Sequence, residues 1–307
     1  MNHQTIYIIG TGAIGKALAV FLKLAGKNVI LLRGSVDNQL TSIEKYQVEL
    51  NDKTIQEASI EVSTLSHFQN LDGIILLTNK SFGNDNLSKA LKGKTGKSPL
   101  VVLQNGLGVE QSFINHGFPE IYRCVLFATS QATSQNTLRF KPVSISPIGL
   151  IHGGGTDLIN IIEELNNPHF PFKAVEDIQT IIWKKAIANS VFNSVCPLLD
   201  VDNGVFHRNE MALVIAKRVV TECIAIANAS GIVLNVDEVL ESLVMISKAS
   251  DGQLISTLQD IKNKRETEIE TLNFSIVTIA KKLNKESMVT ETKLLGELTK
   301  LKSQLHR

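Results

Sequence analysis

The sequence has little of what would assign it to a specialised class. It carries three cysteines in 307 residues, Cys124, Cys196 and Cys223, far apart and with no CxxC spacing. A disulfide framework or a zinc site is therefore not expected, and a reducing cytoplasm is the expected compartment. No stretch approaches the roughly 20 apolar residues that a bilayer span requires, so no membrane association is expected. The apolar run at residues 6–9 is too short for the core of a secretory signal and leads directly into a glycine turn. Neither sign of charge dominates: 31 Lys and Arg face 30 Asp and Glu, a formal net charge of +1. There is no basic footprint for nucleic acid and no acidic tail. The seven prolines are scattered, and no repeat period or low-complexity tract is visible. What is present, 43% hydrophobic and 20% charged residues, is the composition of an ordinary globular protein long enough for two domains.

The first part of the chain alternates strand and helix patterns. Residues 5–9 form a β-branched run. A glycine turn follows, then a helical pattern at 14–25 ending at Gly26, then an apolar strand at 28–32. Residues 47–50 and 60–62 flank the polar turn Asn51-Asp52-Lys53, which predicts a hairpin excursion. Residues 73–77 and 100–103 read as further strands, and such continuous apolar runs suit a parallel sheet covered on both faces. His152-Gly153-Gly154-Gly155 marks a loop, with a helix at 157–165. Beyond about residue 173 strand patterns give way to helical ones, near 177–199, 208–230, 237–248, 256–283 and 287–305. The expected organisation is an α/β chain: an N-terminal Rossmann-type dinucleotide-binding domain at 1–172 and an all-helical domain at 173–307.

Gly10-Thr11-Gly12-Ala13-Ile14-Gly15 is a GxGxxG placed directly after a strand and opening a helix. Gly10 permits the tight turn, Gly12 lets backbone approach a pyrophosphate, and Gly15 lets helix and strand pack closely. The helix N-terminus offers unpaired N–H groups and a positive dipole end to phosphate. In an NAD enzyme an acid about 20 residues further on holds the ribose 2′-hydroxyl. Here the second strand ends in Arg33, and a guanidinium can fork onto a 2′-phosphate, so NADP(H) is the expected cofactor. Asp37 lies near enough to compete, but past the glycine in a polar loop. Lys80 and Asn105 follow two other strands and stand where ligands bind in open α/β sheets, outside the carboxyl ends.

In the helical part, one face of the segment at 178–196 runs Ile178, Ile182, Lys185, Asn189, Asn193, Cys196. Its ends are apolar and its middle holds a lysine and two asparagines. A core stripe would not bury three polar heads unpaired, and a surface stripe would not carry the isoleucines. The pattern suits a helix that lines a polar cleft. Lys184 points about 100° away and shares no face with the asparagines. A second segment contains Ser256, which with Gln259 reads as a capping box, and then Glu266, Glu268 and Glu270, among which periodicity does not choose.

Together these residues resemble the ketopantoate reductase (2-dehydropantoate 2-reductase) family over nearly the whole chain. The resemblance rests on the N-terminal GTGAIG, Arg33, Lys80, the QNGLG containing Asn105, WKKAIANSVFN from Trp183, and STLQDIKNKRETEIETLN from Ser256. By position it implies that Lys185 is the catalytic lysine. It implies that Asn189 and Asn193 bind substrate, that Ser256 contacts it, and that Glu268 holds its hydroxyls. Lys80 and Asn105 match residues at the junction of cofactor and substrate. The implied reaction is NADPH-dependent reduction of 2-dehydropantoate to pantoate, in pantothenate and coenzyme A synthesis. The chain departs from the family at Thr78-Asn79, where a valine before the lysine is more usual, and at 285–293, which lacks the prolines and asparagine common there.

Two other readings stay open: a dehydrogenase of another small 2-keto or 3-hydroxy acid, and a non-catalytic NADP-binding sensor. The second has no use for a proton donor grouped with amides. A hydrolase, suggested by His152-Gly153-Gly154-Gly155, would need a GxSxG nucleophile turn, and the sequence has none. The expected partner is a small keto acid, with no metal and no nucleic acid; a homodimer remains open as the assembly.

Overall fold

The structure, a computed structural model, describes residues 4–34, 39–155 and 157–307. These fold as two compact units. The first comprises the described residues up to Gln104 together with Val109–Ile178; the second comprises Asn105–Gly108 and Gln179–Arg307.

The first unit is built on one sheet. Its strands are β1 (Thr5–Ile9), β2 (Val29–Arg33), β3 (Ser42–Glu49), β4 (Ile55–Thr64), β5 (Gly73–Leu77), β6 (Leu100–Val102), β7 (Ile121–Cys124), β8 (Ala128–Ala132), β9 (Thr137–Pro142), β10 (Ser146–His152) and β11 (Phe172–Ala174). The spatial order is β11-β10-β7-β6-β5-β1-β2-β4-β3-β9-β8. From β7 through β6, β5, β1 and β2 to β4 every pairing is parallel. Chain order reverses between β1 and β5, and their carboxyl ends frame the crevice where doubly wound sheets bind nucleotides.

The continuous apolar runs divide by parity between the two faces. Ile6 and Ile8 of β1, Ile74 and Leu76 of β5 and Val101 of β6 join one cluster. That cluster includes residues 17–22 of helix α1 (Ala13–Leu24). Tyr7, Ile9, Ile75, Leu77, Leu100 and Val102 join another, with Leu87 and Leu91 of α2 (Asn84–Leu91) and Phe113 of α3 (Gln111–Asn115). On the first face α4 (Leu158–Leu165) adds Ile161 and Leu165. The expected hairpin is longer than its apolar residues suggest. β3 and β4 pair from Ser42↔Val62 to Glu49↔Ile55; residues 42–45 of the one and 55–59 of the other are exposed or half-buried and read as largely polar.

The second unit is helical: α5 (Ile178–Leu199), α6 (Val205–Arg208), α7 (Glu210–Ala229), α8 (Val236–Ala249), α9 (Ser256–Lys262), α10 (Asn273–Lys282) and α11 (Thr290–Leu305). The single helix expected at 256–283 is in fact two, with a 3₁₀ turn at Ile269–Thr271 between them. The break has a local cause. The run Lys262-Asn263-Lys264-Arg265 offers no apolar face, and Lys264 takes a left-handed backbone, φ 55°. Lys264 N donates to Ile261 O at 3.0 Å and Arg265 N to Asp260 O at 2.8 Å, the paired bonds that close a helix end. No described helix is long and apolar enough to cross a membrane.

Candidate active site

The site residues fall in both units, and each group is built by its own unit. In the first, β1 runs into Gly10 and α1 starts at Ala13. Gly12 caps that helix in an extended conformation, no side chain caps it, and its first turn holds no acid. The N–H groups and positive dipole end are thus left to an anion. Gly10 has φ +122°, and a Cβ there would stand 2.5 Å from Asn79 N and 2.8 Å from Thr78 Oγ1. A Cβ on Gly15 would overlap the Gly10 carbonyl oxygen, whereas one on Gly12 would meet nothing within 4 Å. Crowding below the turn and open space above it describe a cradle for a pyrophosphate. Thr11, Ala13 and Ile14 are half-buried around it. Thr78, part of the departure from the family pattern, ties β5 to this turn: its Oγ1 donates toward Ile9 O and Gly10 O at 3.1 and 3.0 Å. Periodicity gave no hint of that role.

Arg33 ends β2 beside the turn, since Gly10 N donates to Leu32 O. It is not a solvated side chain. Its side chain is 15% exposed, and Nη2 donates to Glu44 Oε1 at 2.6 Å and to Ser42 Oγ at 3.3 Å. Arg33 Nη1 and Asn79 Oδ1 are buried and have no hydrogen-bond partner among the described residues. Both stand at strand ends next to the glycine turn, and such orphaned groups fit a bound nucleotide with polar edges. Lys80 follows in extended backbone and is half-buried. Asp37, the competing acid, lies outside the described residues.

Glu44 was not singled out by the sequence. Ser42, Glu44 and Tyr46 alternate along β3 and so share a face. Tyr46 OH donates to Glu44 Oε2 at 2.5 Å and Ser42 Oγ to Oε1 at 3.0 Å. Burial works to raise the Glu44 carboxyl. The hydroxyl bonds from Tyr46 and Ser42 and the charges of Arg33 and Lys16 outweigh it and hold the group below the usual carboxylate range. Lys16 Nζ lies 4.7 Å from the centre of the Tyr46 ring and donates to Gln135 O at 2.8 Å. Burial pulls this ammonium below the usual lysine range.

Asn105 follows β6 in sequence, yet residues 105–108 are grouped with the helices. Leu107 N donates to Thr271 O at 2.9 Å. Gly106, at φ +99°, approaches Thr271 so closely that a Cβ would lie 2.6 Å from Thr271 Cβ. Thr271 in turn donates from both N and Oγ1 to the Glu268 carbonyl, each at 3.1 Å. Asn105 and Glu268 are therefore linked through Thr271, whose part no periodicity revealed. Gly106→Ala is expected to push this loop off Thr271 and lower kcat/KM by about 10-fold or more, since small displacements of positioning groups cost that much. Steady-state kinetics with unchanged far-UV circular dichroism checks it; wild-type kcat/KM would show the close approach to be dispensable.

On α5, Lys184 is exposed and pairs with Glu238 of α8 at 3.5 Å, while Lys185 and Asn189 are half-buried and Asn193 is 2% exposed. Asn193 Nδ2 donates to Asn189 O at 3.0 Å. Its Oδ1 accepts from Ser256 Oγ at 3.1 Å and Thr257 N at 3.3 Å. The expected capping box at Ser256 does not form. Ile255 is the cap residue without a side-chain bond, Gln259 Nε2 turns to Leu254 O, and the α9 N-terminus is met by Asn193 of α5. A local motif has been replaced by a tertiary one. Of the three glutamates, Glu266 is exposed, Glu270 is exposed and paired with Lys300 at 2.6 Å, and Glu268 is half-buried.

Comparison with known proteins gives a consistent result. Residues 6–145 match the family model described as ketopantoate reductase PanE/ApbA, and residues 177–301 match its C-terminal counterpart. A 2-dehydropantoate 2-reductase of Pyrococcus horikoshii is 29% identical over 304 residues, 98% of each chain. Among solved structures, a PanE/ApbA-family ketopantoate reductase from Ralstonia eutropha superposes with a TM-score of 0.84 at 22% identity, covering 98% of this chain and 99% of that one. A D-mandelate dehydrogenase in a ternary structure with NADH and anilino(oxo)acetate gives 0.83 at 22% identity and the same coverage.

Proposed function

We propose that this chain, which belongs to the ketopantoate reductase family of NADP-dependent oxidoreductases, reduces 2-dehydropantoate to pantoate in the synthesis of pantothenate and coenzyme A. One observation carries the reading of the substrate side. The Asn193 amide joins α5 to the head of α9 through Ser256 and Thr257, so the stripe of Lys185, Asn189 and Asn193 continues into Ser256. A proton donor, amides and a hydroxyl on one hydrogen-bonded frame match a small acid with a keto group, a carboxylate and a hydroxyl.

Bound at the glycine turn of residues 10–15 and at Arg33, NADPH would supply a hydride for the keto carbon. As that C–H bond forms, negative charge grows on the carbonyl oxygen, and the alcohol product needs one proton there. Lys185 Nζ stabilises this charge and donates the proton. The Asn189 amide orients the carboxylate end together with the Ser256 hydroxyl, which turns its one hydrogen from Asn193 to the substrate and leaves Thr257 N on Asn193 Oδ1, so that binding replaces a search in solution. Asn193 spends its amide oxygen on α9 and one N–H on Asn189 O, which leaves it one N–H for substrate and makes it chiefly a positioning group. Glu268 accepts from the substrate hydroxyl.

The test is loss of NADPH absorbance with ketopantoate against a panel of other 2-keto acids. Faster turnover of another acid would move the assignment to a different substrate of the same chemistry. Glu268→Ala is expected to raise KM for the keto acid by about 10- to 150-fold, the worth of a hydrogen bond to a charged group, with little change in KM for NADPH. Glu266→Ala and Glu270→Ala are expected to stay within a few-fold of wild type. Equal effects from all three would remove Glu268 from the site.

A further inference from the structure

The guanidinium that ends β2 is shared. Arg33 Nη2 is bound to the Glu44 carboxylate at 2.6 Å, while Nη1 is buried and has no partner among the described residues. Glu44 is itself fixed from two further sides, by Tyr46 OH at 2.5 Å and Ser42 Oγ at 3.0 Å. A 2′-phosphate taken up by Arg33 Nη1 would bring its charge next to a carboxylate that cannot swing away. A 2′-hydroxyl in the same place would meet an acceptor, the role an acid plays in sites that hold an unphosphorylated ribose.

We propose that Glu44 limits this protein's preference for NADPH over NADH, partly neutralising Arg33 and offering an acceptor to a 2′-hydroxyl. The proposal rests on the reading of Arg33 as the 2′-phosphate partner. The basis is geometric. β4 lies between β2 and β3 in the sheet, and the long Arg33 side chain spans it to reach Ser42 and Glu44, which share one face of β3. The nearby Lys16 ammonium, engaged with Gln135 O and the Tyr46 ring, adds a positive charge that keeps the cluster receptive to a phosphate.

Glu44→Gln keeps the shape and the acceptor for Arg33 and Ser42 but removes the charge. Dissociation constants for NADPH and NADH are measured on the intact protein by titration calorimetry at about 0.1 M salt, where charges within roughly 10 Å still interact. The variant is expected to bind NADPH about 3- to 10-fold more tightly and NADH no more tightly than wild type. The ratio of the two constants is the readout, because a misfolded fraction lowers apparent binding of both nucleotides alike. Arg33→Ala is expected to collapse the ratio by weakening NADPH alone, by about 10- to 150-fold. If Arg33→Ala collapses the ratio and Glu44→Gln leaves it unchanged or lowers it, Glu44 is only a scaffold and the inference is overturned while Arg33 keeps its role. If Arg33→Ala leaves the ratio unchanged, the reading of Arg33 fails and the inference falls with it.

Discussion

Lys185→Ala is expected to lower kcat by about 10²- to 10⁴-fold, the usual contribution of a positioned general acid, with NADPH affinity largely kept. Lys184→Ala is expected to remain within a few-fold of wild type. The two residues are neighbours with the same chemistry, and they differ in direction by about a quarter turn of helix. Their surroundings differ accordingly. Lys184 is exposed and spends its charge on Glu238 across to α8, a contact worth little to stability. Lys185 is half-buried on the face of Asn189 and Asn193, whose bonds to each other and to Ser256 hold that face in place. Steady-state kinetics of the two variants decides the matter. A crippled Lys184→Ala beside an active Lys185→Ala would overturn both the helical-face assignment and the proposed proton donor.

The second large effect is on stability. Arg123 on β7 is 2% exposed, and its Nη1 donates to Glu110 Oε2 at 2.5 Å, with Nη2 on Gln104 O at 3.1 Å. Gln104 and Asn84 exchange amide bonds of 2.7 and 2.8 Å, and Asn84 also donates to Val109 O at 2.7 Å. Both ends of the segment that carries Asn105 are thus gripped by one buried polar network. Glu110→Ala would leave the guanidinium buried without its carboxylate, at an expected cost of about 3–5 kcal/mol. Exchanging both partners for apolar residues of similar volume is expected to cost far less, because no charge is then stranded. Urea denaturation of the single and paired variants measures this. A loss under about 1 kcal/mol for Glu110→Ala would mean that the network relaxes around the gap.

Much of the first unit was legible because its information is local or periodic. Strands buried on both faces read as continuous apolar runs, and β5, β6 and, past Thr5, β1 do. The glycines of the first turn answer to backbone geometry: Gly10 needs its positive φ, and Gly15 packs against the Gly10 carbonyl. The outer strands were harder to read. One half of β3 and of β4 is solvent-facing, so alternation there is weak and the hairpin came out short. In the helical unit the face of α5 could be followed by its 3.6-residue period. The interruption after Lys262 could not, because a run of polar residues reads equally well as a solvated helix and as its end.

By itself, then, the sequence determined the doubly wound nucleotide-binding architecture, the run of helices in the later part of the chain, and the direction of Lys185 relative to Lys184. Each follows from hydrophobic periodicity or from a steric demand within a few residues. Only the tertiary structure decided what lies between distant segments. Asn193, not Ser256, supplies the side-chain cap of α9, 63 residues away in sequence from Ser256. Thr271 receives the loop at 105–108 and links it to Glu268. Glu44 on a neighbouring excursion takes half of the Arg33 guanidinium. The physical reason is common to all three. A polar side chain can be satisfied by any complementary group within about 3 Å, and periodicity reports which face it occupies but not which distant residue the packing brings there.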